Sequence, residues 1–255
     1  MRLVGSDPSA PVENDDSQVD ESLSRVTPGV FFGAPVALPR GPHALPRADV
    51  LAEQRERLMA AITELIAAVG WTNVTVGSLA GRSKISRTAF YECFPNKEVC
   101  AFAAYDRFIE ALLSALAEPV GEPASWAEVI ERMLDAYFSI LERDLVAARA
   151  FLVEFDALGP PARERRRLAL RRIAAYLREM HDRFRPLDAM LAPVFAEDVY
   201  VGIVYIARQL ACDALDEEAE PDLRSIGRTL APWLLTAYRP GAGAAAPPLS
   251  VRSAS

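Results

Sequence analysis

The sequence predicts an all-α protein built from two helical domains. Three observations predict this. Apolar residues recur at helical spacing almost without a break from Asp49 onward. Caps and Pro/Gly breaks divide that pattern into helix-length pieces. No stretch alternates with the period of two that a half-buried strand needs. The chain has 255 residues, 51% hydrophobic and 25% charged, so it can bury a core and is not disordered throughout.

The ends read differently. Residues 1–48 form an extension expected to be disordered. Its first 37 residues are rich in Ser, Asp, Pro and Gly, and only Val30, Phe31 and Phe32 interrupt that composition. Residues 38–48, with Arg40, His43 and Arg47 spaced by prolines, describe an extended arm. Residues 240–255 read as a disordered tail. No apolar run reaches the ~18 residues of a membrane helix, and the N-terminus turns acidic before any apolar stretch forms. Three cysteines, Cys93, Cys100 and Cys212, are an odd number at spacings that suit no disulfide framework, which fits a reducing cytoplasm. Two histidines are too few for most metal or histidine-based catalytic sites, so neither a metal nor another cofactor is expected. A mean hydropathy of +0.08 points to apolar surface buried in a partner or around a ligand.

The first helix runs from about Val50 to Val69 on the stripe Leu58, Ile62, Leu65, Ile66 and Val69, with Asp49 as its expected cap and Gly70 beyond its end. Thr75 caps a short second helix, stapled by Val74 and Leu79. Ser86 caps a third, stapled by Ile85 and Phe90. Arg82-Ser83-Lys84-Ile85 is the tight turn between them. Asn96 caps a fourth helix, from Lys97 to about Ala117. Further helices are expected at about Ser125–Leu141, Asp144–Ala157, Pro161–Phe184, Pro193–Leu215 and Asp222–Tyr238.

Two short capped helices joined by a tight turn make a helix-turn-helix unit. On its second helix Ala89, Phe90 and Phe94 share the inward face, leaving Arg87, Thr88 and Tyr91 outward. Such a helix enters the DNA major groove by its N-terminal end. Arg87 then reads a guanine edge or pairs with phosphate, while Ser86, Thr88 and Tyr91 donate to phosphates. Lys97 adds a cation at a helix N-terminus, a natural phosphate site. The net charge of −7 hides a local excess: residues 75–97 carry Arg82, Lys84, Arg87 and Lys97 against Glu92 alone.

The stretch TVGSLAGRSKISRTAFYECFPNKE, with QRERLMAAITELIAAVGW before it, resembles the N-terminal domain of TetR-family transcriptional regulators. Thr75, Leu79, Ala80, Ser86, Phe90-Tyr91, Phe94 and Lys97-Glu98 fall at the family's spacing. There are two departures. Lys84 stands where the family's turn commonly has Gly, at about 1 kcal/mol if its φ is positive. Cys93 stands where His or an aromatic is common. The resemblance implies an N-terminal three-helix DNA-binding domain over 49–99, with helix-turn-helix, followed by a larger helical ligand-binding and dimerisation domain over 100–239.

What it implies of function is a cytoplasmic homodimer without a membrane association. It would bind double-stranded operator DNA of palindromic sequence as a repressor, until a small, largely apolar effector releases it. The DNA-binding residues are Thr75, Lys84, Ser86, Arg87, Thr88, Tyr91 and Lys97, with Arg40 and Arg47 as a minor-groove arm. Aromatic and methionine stripes in the second domain mark Tyr105, Met133, Tyr137, Phe155 and Tyr176 as effector-pocket lining. The last two helices are apolar over much of their circumference, and Val201, Tyr205, Leu230, Trp233 and Leu234 are the expected dimer contacts. The arginine run 163–172 reads as a solvated face, and Cys93 and Cys100 as small buried residues. No GxSxG, HExxH, P-loop or dinucleotide fingerprint supports an enzyme. The other alternative is a helical ligand-binding or protein-adaptor module that has lost operator recognition, which Lys84 and Cys93 would favour.

Overall fold

The computed structural model describes residues 23–34, 46–118 and 123–239; Arg40, His43, most of the N-terminal extension and the tail from 240 lie outside the described residues. Among the described residues every regular element is helical, as predicted, and no helix is long and apolar enough to cross a membrane.

Helix α1 (Arg47–Val69) begins earlier than its hydrophobic stripe indicates. Pro46 precedes it, and Asp49 sits inside the first turn, where a carboxylate complements the helix dipole without capping. Arg47 is therefore helical and not part of an extended arm; it pairs with Glu92 at 3.5 Å. Gly70 ends α1 at φ 72°, ψ 153°. Helices α2 (Val76–Ser83), α3 (Arg87–Cys93) and α4 (Lys97–Ala117) start at the expected caps. The Thr75, Ser86 and Asn96 side chains accept the amides of Ser78, Ala89 and Val99. Leu58, Ile62, Leu79 and Phe90, all fully buried, hold α1–α3 together.

The second domain continues with α5 (Trp126–Arg143) and the short α6 (Leu145–Ala148), capped by Ser125 and Asp144. An unbroken helix was expected as far as Ala157. Instead the backbone widens into a π-helical turn over Arg149–Glu154 and tightens to 3₁₀ over Phe155–Leu158. Side chains from another helix take the carbonyl of Leu152, since Arg208 Nη2 and Cys212 Sγ donate to it at 2.6 and 3.3 Å. Helix α7 (Pro160–Phe184) opens on proline after Gly159 at φ 92°. Helices α8 (Glu197–Glu217) and α9 (Leu223–Ala237) close the bundle. Helix α9 lies against α5 at Gly227, where an added Cβ would stand 2.9 Å from Phe138 Cδ2.

The segment 23–34 corrects the expected disorder. Val26, Phe31 and Phe32 are buried, and Phe31 meets Phe108 at a ring-centroid distance of 4.5 Å. The Val26 and Gly33 amides donate to Glu64 and Glu56 on α1, and Thr27 N donates to Asp144 at the start of α6. The segment thus straps the DNA-binding domain to the second domain. Burying each phenylalanine contributes about 1.5–3 kcal/mol, enough to offset part of the ordering entropy.

His181 is fully buried beneath Trp126, Phe195, Tyr200 and Tyr238. A carbonyl only accepts, so Nε2–H must donate to Ala192 O (3.1 Å), and Nδ1 accepts the Tyr200 hydroxyl (2.6 Å). Burial lowers the His181 pKa below its ordinary 6.5. The unfolded chain therefore takes up this proton first as pH falls, so the stabilisation is present above pH 6.5 and is lost below it. The melting temperature should fall between pH 7.5 and 5.5, less steeply in His181→Asn. Equal slopes in the two proteins would refute the assignment.

Candidate DNA interface and ligand cavity

The turn between α2 and α3 is set by Lys84 in the left-handed conformation (φ 57°, ψ 37°). Glycine would hold that position about 1 kcal/mol more cheaply. Lysine keeps a cation at the turn instead. Ile85, Phe90 and Phe94 are buried, Ala89 is half-buried, and Lys84, Ser86, Arg87, Thr88 and Tyr91 are exposed, Tyr91 by 58%. The Tyr91 ring stands edge-on to Phe90 at 5.2 Å, which fixes its direction. Arg87 reaches back across the start of α2. A Cβ built on Gly77 would lie 2.6 Å from Arg87 Nη2 and 3.5 Å from Thr75 Oγ1, so the two groups converge there. The Thr75 and Ser86 oxygens are already engaged as caps.

Lys97 differs from expectation. Its Nζ donates to Val74 O at 2.6 Å and lies 4.2 Å from the Trp71 ring centre, so it ties the turn before α2 to α4. Arg82 differs too. It is buried, its Nε donating to Glu64 Oε2 at 2.5 Å, so it contributes nothing to the positive face. Arg55 supports α3 from α1 by donating to Cys93 O and covering the Phe94 ring. Sequence spacing gave no signal for that role, because the partner is a backbone carbonyl. Cys93 itself is buried, with its thiol pKa raised by burial, so its side chain is not on the outer face.

Of the five expected pocket residues, two line one cavity. Met133 and Tyr137 join Leu116, Ile130, Leu134, Ile173, Leu177, Ile203, Val204, Ala207 and Leu234 around about 50 Å³. Tyr105 faces an open groove between α4 and α7. Phe155 is packed flat on Tyr105 at 3.9 Å, and Tyr176 donates to Leu116 O at 3.3 Å. These last two line neither space, because stacking and a hydrogen bond hold them in the wall. The arginine run is ion-paired in part: Arg165 with Asp106, Arg166 with Asp156, Arg167 with Glu164.

The expected dimer residues also divide. Trp233 is 52% exposed, and Val201 and Tyr205 are half-buried. Leu230 and Leu234 face inward, because α9 must also pack on α5 and close the cavity. Val199, Ile206 and Leu210 complete the outer apolar face.

Residues 58–104 match the model of the family described as bacterial regulatory proteins, tetR family. The helix-turn-helix region of the chain is of the tetR type. No curated protein matches it in sequence. Solved structures of tetR-type regulators share its fold. The fatty acid degradation regulator FadR of Bacillus halodurans aligns at TM-score 0.62 and 15% identity, over 71% of this chain and 94% of that one. Bacillus subtilis FadR in complex with stearoyl-CoA aligns at 0.60 and 16%, over 71% and 97%. Thermus thermophilus FadR, a repressor in complex with lauroyl-CoA, aligns at 0.54 and 18%, over 71% and 93%. The chain joins this helix-turn-helix domain to a larger helical domain.

Proposed function

We propose that the chain is a homodimeric repressor that binds a palindromic operator through α3 and is released by an apolar effector carrying an acyl chain. The observation that carries the reading is the division of α3. Its apolar residues are locked into the domain, while Arg87, Thr88 and Tyr91 stand outward beside Lys84 and Ser86. The exposed apolar face of α8 and α9 favours two-fold pairing, which places the half-sites one helical turn, about 34–36 Å, apart.

The effector class is drawn from the acyl-CoA compounds named with the FadR structures and from the cavity's lining, which is apolar apart from the Tyr137 hydroxyl. A cavity of about 50 Å³ is small beside the ~150 Å³ that holds benzene, so the bundle must open to admit a chain. That requirement supplies the coupling, because only a ligand that prefers one state shifts the equilibrium. Moving 99:1 to 1:99 takes about 5.5 kcal/mol of preference.

Selection from a random duplex library at physiological salt tests the reading. A recovered palindrome supports it. No enrichment, even after unfolding, ligand extraction and refolding, favours a ligand-binding or adaptor module without operator recognition. On the selected site, Arg87→Ala should cost about 1–3 kcal/mol and relax preference at one base position, read by fluorescence anisotropy. An unchanged affinity would remove Arg87 from the interface.

A further inference from the structure

Two adjacent amides of the segment 23–34 donate to buried carboxylates of different domains. Val26 N meets Glu64 Oε1 on α1 at 3.1 Å, and Thr27 N meets Asp144 Oδ2, at the cap of α6, at 2.9 Å. Glu64 and Asp144 are 5% and 2% exposed. The second oxygen of each is also engaged. Glu64 Oε2 accepts from Arg82 Nε at 2.5 Å, and Asp144 Oδ1 accepts from Ala147 N at 3.0 Å. Only the backbone of Val26 separates the two donors, and Val26 is itself buried, so that backbone has little room to turn. The strap reaches further on both sides. Upstream, the Leu23 and Ser24 carbonyls accept from Arg82 Nη2. Arg82 lies in the last turn of α2, two residues before Lys84. Downstream, Phe31 packs on Phe108 of α4, whose ring centre is 5.0 Å from that of Phe151 in the π-helical turn.

We propose that the segment 23–34 is a relay between the domains: a displacement of α6 or of the π-helical turn passes through Thr27, Val26 and Glu64 to Arg82, and so to the turn that sets α3. The contacts along this route are buried, and those to the two carboxylates are charge-assisted. Breaking one leaves a buried polar or charged group without its partner, so the strap follows its neighbours instead of yielding to them. The relay concerns how the two domains are joined, and it stands whether or not the operator and effector readings hold.

Hydrogen exchange of the full chain, resolved by peptide mass spectrometry, tests it without DNA or ligand. Thr27→Pro removes the amide donated to Asp144. The Thr27 side chain is exposed, and the packing of α1 on α6 is left in place, so a response in α2 reports the strap. Phe31→Ala releases the second anchor, on α4. In each variant the amides of α2 and of the turn before α3 should exchange about tenfold faster than in wild type, while those of α5 and α9 keep their protection. If Phe31→Ala does not fold, Thr27→Pro carries the test. Acceleration confined to the strap, α6 and the π-helical turn would make the segment a local brace and overturn the relay. Acceleration that extends equally to α5 and α9 would overturn it too, because general loss of stability then accounts for the change in α2.

Discussion

Glu64→Ala should lower the stability of the folded chain by about 3–5 kcal/mol, the usual consequence of removing one partner from a buried ion pair. Glu64 is 5% exposed and accepts from Arg82 Nε through one oxygen and from the Val26 amide through the other. Removing it takes the carboxylate away from the buried Arg82 guanidinium, whose Nη2 also donates to the Leu23 and Ser24 carbonyls at 3.0 and 3.2 Å. The same change detaches the strap from α1, so two linked losses are expected. Urea denaturation should show the midpoint shift, and limited proteolysis should show faster cleavage within 23–34. The double variant Glu64→Leu with Arg82→Leu should regain much of the loss, because no uncompensated charge remains. A single variant within 1 kcal/mol of wild type would mean that the pair does not hold α1, α2 and the strap together.

The second large effect belongs to the outer face of α9. Trp233→Asp should convert the proposed dimer to monomer in size-exclusion chromatography with light scattering. Operator affinity should then fall about 100- to 10,000-fold, since each half-site would be bound without the effective concentration that a linked second half-site supplies. The ring is half exposed in the single chain, so helix content and melting temperature should change little. A dimer that survives the substitution would place the interface elsewhere.

The two regions differ in how far their sequence reveals them. The helix-turn-helix was legible because its determinants are local. Thr75, Ser86 and Asn96 each cap an amide three residues on, and the division of α3 follows from helical period. The positive φ of Lys84 was foreshadowed by the glycine common at that place in the family. The roles of Lys97 and Arg82 were not legible. Whether a cation faces DNA or a neighbour's carbonyl depends on Val74, Trp71 and Glu64, which only folding brings near. The strap was missed for a similar reason. Three apolar residues in a polar segment carry no periodicity, and their partners lie far along the chain.

The expected pocket and dimer residues rested on apolar stripes alone. A stripe states that a face is covered; it does not state by what. The bundle turned Leu234 into the cavity and Trp233 outward, stacked Phe155 on Tyr105, and brought Arg208 against Leu152. By itself the sequence determined the helical class, the caps at Thr75, Ser86 and Asn96, the order of the two domains and the outward face of α3. Each of these follows from interactions within about four residues. Tertiary structure alone decided which buried groups are paired, which residues line the cavity and what segment 23–34 does. Those outcomes depend on contacts between distant parts of the chain, which local periodicity does not record.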